Sequence, residues 1–527
     1  MTGSEASAPP RVILSSPGTV SQQVWHDLVS RGDAVVVHCL HFDGYRSEYE
    51  SLFPGATGAS NEQVFLHGIE GAFVGADVRI LTPELMQACA WAEPVALKMM
   101  DRLALPHMAE YSTRLLLYRY LVAYWAGTIS SLNANAFFME TEPHEVADFV
   151  LFVVARAVGV RTAIVTEFPS LGRSTLVEDY RQPWNLLFEG SPDNDRASDE
   201  DAARRAIGSL RGEYESAKPI YMRHNESLGS ATTVLARARV AARNSLGAAK
   251  RIVTVSPVRA KRKSAKRLAQ EYQIAAGNPD LSSPYIYFCL QFQPEKTTSP
   301  CGGIFVDQYL AIALIAKYLP PGWRILVKEH PGQYWAGPFY GYLGRDPGYY
   351  RRLLAIPEVE LVSLDSSHFE IIDNSAAVAT VTGTVGWEAI ARGVPTVVFG
   401  DVWFADAPGA HRVRNTAECR EALADVARRL GGSEPSAASE LVGFVAGALG
   451  ISTPLALSEL WSSFYGREWN QHDNVLRLRS MVLPWIDSIV HEGDRHLVDS
   501  RLIGQGPCSA DDNRDSSGRL RPKEDLE

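Results

Sequence analysis

Short apolar runs alternate with amphipathic stretches along most of this chain, and the alternation predicts its elements. Val12-Ile13-Leu14 reads as a first strand, followed by the turn Ser15-Ser16-Pro17-Gly18. Ala34-Val35-Val36-Val37-His38-Cys39-Leu40 reads as a second, with Asp43-Gly44-Tyr45-Arg46 at its carboxyl end. Ala136-Phe137-Phe138-Met139 and Thr162-Ala163-Ile164-Val165-Thr166 follow, joined by an amphipathic helix over 145–158. Strand–helix–strand alternation of this kind predicts a parallel sheet with helices on both faces.

The second half has the cleaner pattern. A strand at 285–292 precedes a helix at 304–318, which Pro320-Pro321-Gly322 ends. A strand at 324–329 leads through a Gly/Tyr-rich loop to a helix near 349–356. Strand 359–364, a short helix 367–374, strand 377–382, a helix ending at Arg392 and strand 396–399 complete a doubly wound unit. Helices are expected near 415–430 and 455–490, the last crossing back to the first domain.

This divides the 527 residues into a polar start (1–10), a first α/β domain (11–275), a second α/β domain (282–455), returning helices (456–490) and a polar tail (500–527). The acidic stretch 189–203 reads as a mobile insertion. The segment Arg237–Arg267 carries eleven Lys or Arg and no acid. It reads first as a solvated helix with a linker. Its sharper reading is peripheral contact with an anionic membrane surface, to which each basic residue adds about 1 kcal/mol.

Composition narrows the function classes. At 46% hydrophobic and 21% charged residues the chain is an ordinary globular protein, and its net charge of −10 speaks against nucleic-acid binding. Six scattered cysteines form no Cys-x-x-Cys, which fits reduced thiols in a cytoplasmic protein. No secretory leader is visible, and the apolar stretch Leu441–Leu457, interrupted by Ser452-Thr453-Pro454, reads as a buried helix with its exit turn.

Candidate chemistry gathers at strand ends, where open α/β sheets bind ligands. Gln293-Pro294-Glu295-Lys296-Thr297-Thr298 follows one strand of the second unit and Lys328-Glu329-His330-Pro331 the next. Histidine there can donate to a phosphate oxygen and, if protonated, stabilise a departing anion; proline stiffens the turn. Thr382-Gly383-Thr384 joins a strand to a helix, with Glu388 one turn in, a pattern that suits phosphate and ribose but also serves plain packing. In the first half, Glu140-Thr141-Glu142-Pro143-His144-Glu145 follows a strand and opens a helix. Glu145, with His144 beside it, is the candidate base, or equally a helix cap. Glu167 and Asp43 are reserves, and the Glu178-Asp179 pair a weaker one. There is no Asp-x-Asp after a strand, so metal-independent chemistry is expected, with no cofactor beyond the substrates.

These motifs, together with Phe305-x-Asp307-Gln308, Gly393-x-Pro395-Thr396 and Phe399-Gly400, resemble the capsule polysaccharide synthesis family of bacterial glycosyltransferases over about 282–405. The resemblance implies an α/β, GT-B-like fold, two Rossmann-like doubly wound domains facing a central cleft. Similar members include transferases of Kdo, a CMP-activated acidic sugar. It further implies Gln293 and Glu295 near the nucleotide-sugar donor and His330 at its phosphate. Thr382, Gly383 and Thr384 would cradle the phosphate, with Glu388 on the ribose, and a growing glycan or lipid-linked molecule would be the acceptor. The first half lacks the Gly-Tyr-x-Arg-Pro type of signature, which leaves donor and stereochemical outcome open. A teichoic-acid-type polyol-phosphate transferase, a sugar-nucleotide epimerase and a non-catalytic polysaccharide assembly factor are the rival readings.

Overall fold

The computed structural model describes residues 8–41, 46–60, 80–102, 110–189, 196–212, 266–293, 297–334, 344–430, 438–464 and 467–492. Two six-stranded sheets organise them. The first has the order β3-β2-β1-β4-β5-β6 and the second β12-β11-β10-β7-β8-β9. Numbered from its own first strand, each sheet therefore runs 3-2-1-4-5-6, the doubly wound Rossmann order.

The first sheet comprises β1 (Arg11–Ser15), β2 (Val35–His41), β3 (Thr57–Ser60), β4 (Ala136–Met139), β5 (Arg161–Phe168) and β6 (Arg173–Val177). All neighbours are parallel except β5 and β6, which pair antiparallel as a hairpin. The second comprises β7 (Tyr285–Cys289), β8 (Arg324–Lys328), β9 (Val359–Val362), β10 (Ala377–Thr380), β11 (Thr396–Val398) and β12 (Ala410–Arg412), all parallel. The central strands are buried on both faces, as the near-continuous apolar runs Ile13-Leu14 and Ile325-Leu326-Val327 require.

The sheets share one core. Phe168, at the carboxyl end of β5, packs at 5.4 Å on Trp403, in the segment leaving the carboxyl end of β11. Trp403 in turn meets Trp387 at 4.6 Å, and the Trp184 amide donates to Asp406 at 2.8 Å. The ends at which ligands bind in such sheets thus approach one another.

The chain then returns to its first half. Helix Ala438–Gly450 packs against helices Arg196–Ser209 and Trp184–Glu189, and Thr453 extends β6 through Ser174. Helix Gln471–Glu492 lies on helix Thr19–Arg31, with Trp25 and Trp485 in edge-to-face contact at 6.5 Å. The acidic stretch expected to be a mobile insertion is helical from Arg196 onward, because Ala203 and Ile207 bury against the returning helix. Residues 190–195 of that stretch, most of the basic segment and the polar termini lie outside the described residues. Among the described residues no helix is long and apolar enough to cross a membrane.

Sequence periodicity places most second-half elements within a few residues. Differences arise where side chains intervene. The expected helix 304–318 splits into a turn Gly303–Val306 and a helix Gln308–Tyr318, because Asp307 caps the latter through the Tyr309 amide at 3.3 Å.

Candidate functional site

The order of the second sheet reverses between β7 and β10, and Gln291 bridges this switch point. Its side-chain amide donates to Thr380 Oγ1 at 2.8 Å and to the Cys289 carbonyl at 2.6 Å, and its Oε1 accepts from the Val381 amide at 3.2 Å. Its main chain exchanges two bonds with the Gln308 carboxamide, at 2.8 and 3.0 Å. Two strand ends are thereby held in a fixed register.

The Thr382-Gly383-Thr384 turn lies against this bridge. A Cβ on Gly383 would come within 2.9 Å of Thr380 Oγ1 and 3.0 Å of Gln291 Nε2, so the glycine permits close packing. Its amide donates to Thr380 Oγ1 at 3.0 Å. That corrects one expectation: this amide is already satisfied within the protein and is not offered to a phosphate. Buried Thr382 meets Thr298 at 3.3 Å between hydroxyl oxygens, and Thr384 precedes helix Val385–Ala391 without a side-chain cap.

One strand over, Lys328-Glu329-His330-Pro331 divides into a buried anchor and a presented ring. Glu329 is fully buried and accepts from Arg345 at 2.8 and 2.9 Å, Tyr350 Oη at 2.5 Å and the His330 amide at 2.7 Å. Lys328 is also buried, its ammonium donating to the Ser366 carbonyl at 2.6 Å, and burial lowers its pKa. The Lys328 ammonium, expected near a phosphate, gives one of its three hydrogen bonds to the loop after β9. His330 Nδ1 accepts from the Gly332 amide at 3.1 Å, which puts the proton of the neutral ring on Nε2. Burial, helped by Arg345 and His368 and opposed by Glu329, lowers its pKa to about 4. Of the two roles open to His330 in sequence, donation to a phosphate oxygen is the one that a neutral N–H at physiological pH supports.

Pro331 opens the turn Pro331–Tyr334, which carries Gln333 back toward β7. The Gln293 amide donates to Gln333 Oε1 at 2.9 Å and Gln333 Nε2 donates to the Gln293 carbonyl at 2.9 Å. The glutamine–proline and histidine–proline loops are thus joined. Gln293 is 3% exposed, and among the described residues its Nε2 has no hydrogen-bond partner. Pro294 and Glu295 lie outside the described residues.

Glu388 is buried in the first turn of Val385–Ala391, where its Oε2 meets His368 Nε2 at 3.1 Å. His368 Nδ1 meets Tyr287 Oη at 3.1 Å. Sequence reading missed Gln291, Gln333, Arg345 and His368. Each is a lone polar residue away from a recognisable motif, and only its position beside a strand end could have drawn attention to it.

In the first sheet the switch point falls between β1 and β4. Glu140, just past β4, accepts from the Gly18 amide at 2.5 Å and from Ser21 Oγ at 3.0 Å. It thereby caps helix Thr19–Arg31, whose N-cap glycine has no side chain. Ser16, in the same turn, has φ of +45°, a strained conformation for a non-glycine residue. Glu145 forms a reciprocal capping box with Asp148, whose carboxylate accepts from the Glu145 amide at 2.9 Å and the His144 amide at 3.2 Å. Of its two sequence readings, the helix cap is the one visible here. His144 lies 4.0 Å from the Glu145 carboxylate. Glu167 sits on β5 opposite Ser174, Glu178 is engaged by Arg161, and Asp179 takes Arg181 at 2.7 and 3.0 Å. Asp43 is outside the described residues. Among the described residues no three His, Cys, Asp or Glu are placed to hold a metal ion.

Comparison with known proteins adds three findings. Residues 303–430 match the sequence profile of the family described as Capsule polysaccharide biosynthesis protein. No curated protein matches. Among solved structures, the chain is similar to Thermosulfurimonas dismutans KpsC, beta Kdo 2,7 transferase, at 13% identity and a TM-score of 0.31, over 68% of this chain and 88% of that one. The beta Kdo 2,4 transferase of the same organism's KpsC aligns at 15% identity and a TM-score of 0.25, over 42% and 63% of the two chains. UDP-GlcNAc 2-epimerase from Neisseria meningitidis aligns at 10% identity and a TM-score of 0.21, over 83% and 98%. The stretch holding the Lys328–Pro331 and Thr382–Glu388 turns thus carries the sequence pattern of the capsule polysaccharide biosynthesis family.

Proposed function

We propose that this chain is a glycosyltransferase of surface polysaccharide assembly. It would take a sugar from a nucleotide-activated donor, CMP-linked by preference, and add it to a glycan or lipid-linked acceptor. The observation that carries this reading is the Gln293–Gln333 exchange, which joins two polar loops beside the β7/β10 switch point. There His330 Nε2–H and the Gln293 carboxamide are donors for phosphate and nucleotide, and Glu388 is an acceptor for ribose hydroxyls. Pro331 opens the second loop, and Thr382 and Thr384 line the adjoining turn.

Transfer breaks the bond between the anomeric carbon and the phosphate oxygen and forms one to the acceptor oxygen. The acceptor proton goes to a carboxylate, and the nucleotide leaves with the bonding electrons. Glu140 caps a helix as Glu145 does, but it sits at the switch point of the first sheet, where ligands bind in such folds. It therefore suits that carboxylate better than Glu145 further along or Glu167 on its hairpin. A neutral histidine donor can stabilise the leaving phosphate without needing to be charged.

Thermal shift with CMP, CDP, UDP and GDP tests this. One nucleotide should raise the melting temperature, and His330→Ala should remove the rise. If no nucleotide stabilises the wild type, the transferase reading falls. A nucleotide sugar interconverted without acceptor would favour an epimerase instead.

A further inference from the structure

His368 belongs to none of the sequence motifs, yet it joins elements that are remote in the fold. It opens helix His368–Asp373 after β9, whereas Glu388 lies on the helix after β10, and β7 and β8 separate those strands. Both helices pack on one face of the sheet over Tyr285, Tyr287, Val362 and Val378. The imidazole spans the gap between them.

Its two nitrogens are used in a defined order. The Glu388 carboxylate can only accept, so the ring presents an N–H to it, and the other nitrogen, Nδ1 of the neutral ring, accepts from Tyr287 Oη at 3.1 Å. The ring proton then sits on Nε2 and is donated to Glu388 Oε2 at 3.1 Å. His330 faces His368 electrostatically from the neighbouring loop.

Glu388 is only partly used by these contacts. Its other oxygen has Thr384 Oγ1 at 3.5 Å, too long for a good hydrogen bond, although the side chain is 10% exposed. A carboxylate accepts about four hydrogen bonds, so one oxygen keeps acceptor capacity. A pair serving the core alone would leave less of this capacity unspent, because buried acceptors are normally satisfied.

We propose that His368 is a positioning residue for nucleotide recognition: it fixes the Glu388 carboxylate so that its other oxygen meets a ribose hydroxyl, making ribose selectivity depend on His368. This rests on the reading of the second sheet as a nucleotide site. The far side of helix Val385–Ala391 carries Trp387 into the core shared by the two sheets, so the carboxylate has a rigid mount.

The test is calorimetric titration of the full chain with CMP, UDP and GDP and with their 2′-deoxy counterparts. Wild type should bind one ribonucleotide about tenfold tighter than its deoxy form, the worth of one hydrogen bond to a charged group. In His368→Phe that ratio should fall below about twofold. His368→Gln, whose amide can still donate to Glu388, should restore most of it, which a purely structural role would not require. Tyr287→Phe gives a second route, with an intermediate ratio expected, should the phenylalanine variant not fold. An unchanged ratio in folded His368→Phe, or in Tyr287→Phe where it does not fold, overturns the proposal. Failure of the wild type to bind any of the nucleotides overturns the nucleotide site itself, and this role with it.

Discussion

Gln293 and Gln333 exchange two hydrogen bonds of 2.9 Å, the Gln333 carboxamide accepting from the main-chain amide of Gln293 and donating to its carbonyl. Forty residues apart in sequence, they lock the loops after β7 and β8 into one surface. Gln333→Ala would leave the buried amide and carbonyl of Gln293 unsatisfied. Chemical denaturation should show a loss of about 2 kcal/mol. Nucleotide-induced stabilisation should fall with it, whereas an exposed alanine substitution elsewhere leaves both intact.

Glu329 and Arg345 form a buried ion pair, at 0% and 2% side-chain exposure. Removing one partner strands a charge in the core, so Arg345→Met should cost about 3–5 kcal/mol in urea unfolding. Replacing both, as Glu329→Leu with Arg345→Met, should recover a good part of that loss. A double variant no better than the single one would show that the surrounding Tyr350 and His330 bonds dominate.

Glu140 and Glu145 can be told apart by separating stability from turnover. Glu145→Ala removes a helix cap and should cost about 1 kcal/mol. Its transfer rate should stay within a few-fold of the wild type. Glu140→Gln should lower turnover by about a hundredfold or more, with nucleotide affinity nearly unchanged. Product formation measured at saturating donor reads both, and the reverse ranking would restore Glu145 as the base.

Stability should fall as pH drops through the histidine range. Burial lowers both His38 and His330 to about 4, against an ordinary value of 6.5. Between those pH values the unfolded chain binds protons that the folded chain does not, so unfolding is favoured as pH falls. Above 6.5 the contribution is complete; each residue loses up to about 3 kcal/mol by pH 4. Urea midpoints at pH 7, 6 and 5 should decline, and His38→Gln should shrink the decline. The transfer rate, in contrast, should show no His330 titration between pH 6 and 8.

Much of the architecture was legible in the bare chain, for a local reason. Val12-Ile13-Leu14 and Ile325-Leu326-Val327 declare buried strands because a strand covered on both faces needs a short, unbroken apolar run. The turns at Gln293, His330 and Gly383 could be ordered along the chain by the same means, and their succession at strand ends carried the family resemblance. Pairings between distant groups had no such local trace. Glu140 reaches the Gly18 amide across 122 residues, and His368 meets Glu388 over strands that are not neighbours. Which polar groups become satisfied, neutral or available depends on how the sheets wind and on what burial leaves without water. That is why the bond from Lys328 to Ser366 and the lowered pKa of His330 leave no trace in the local sequence.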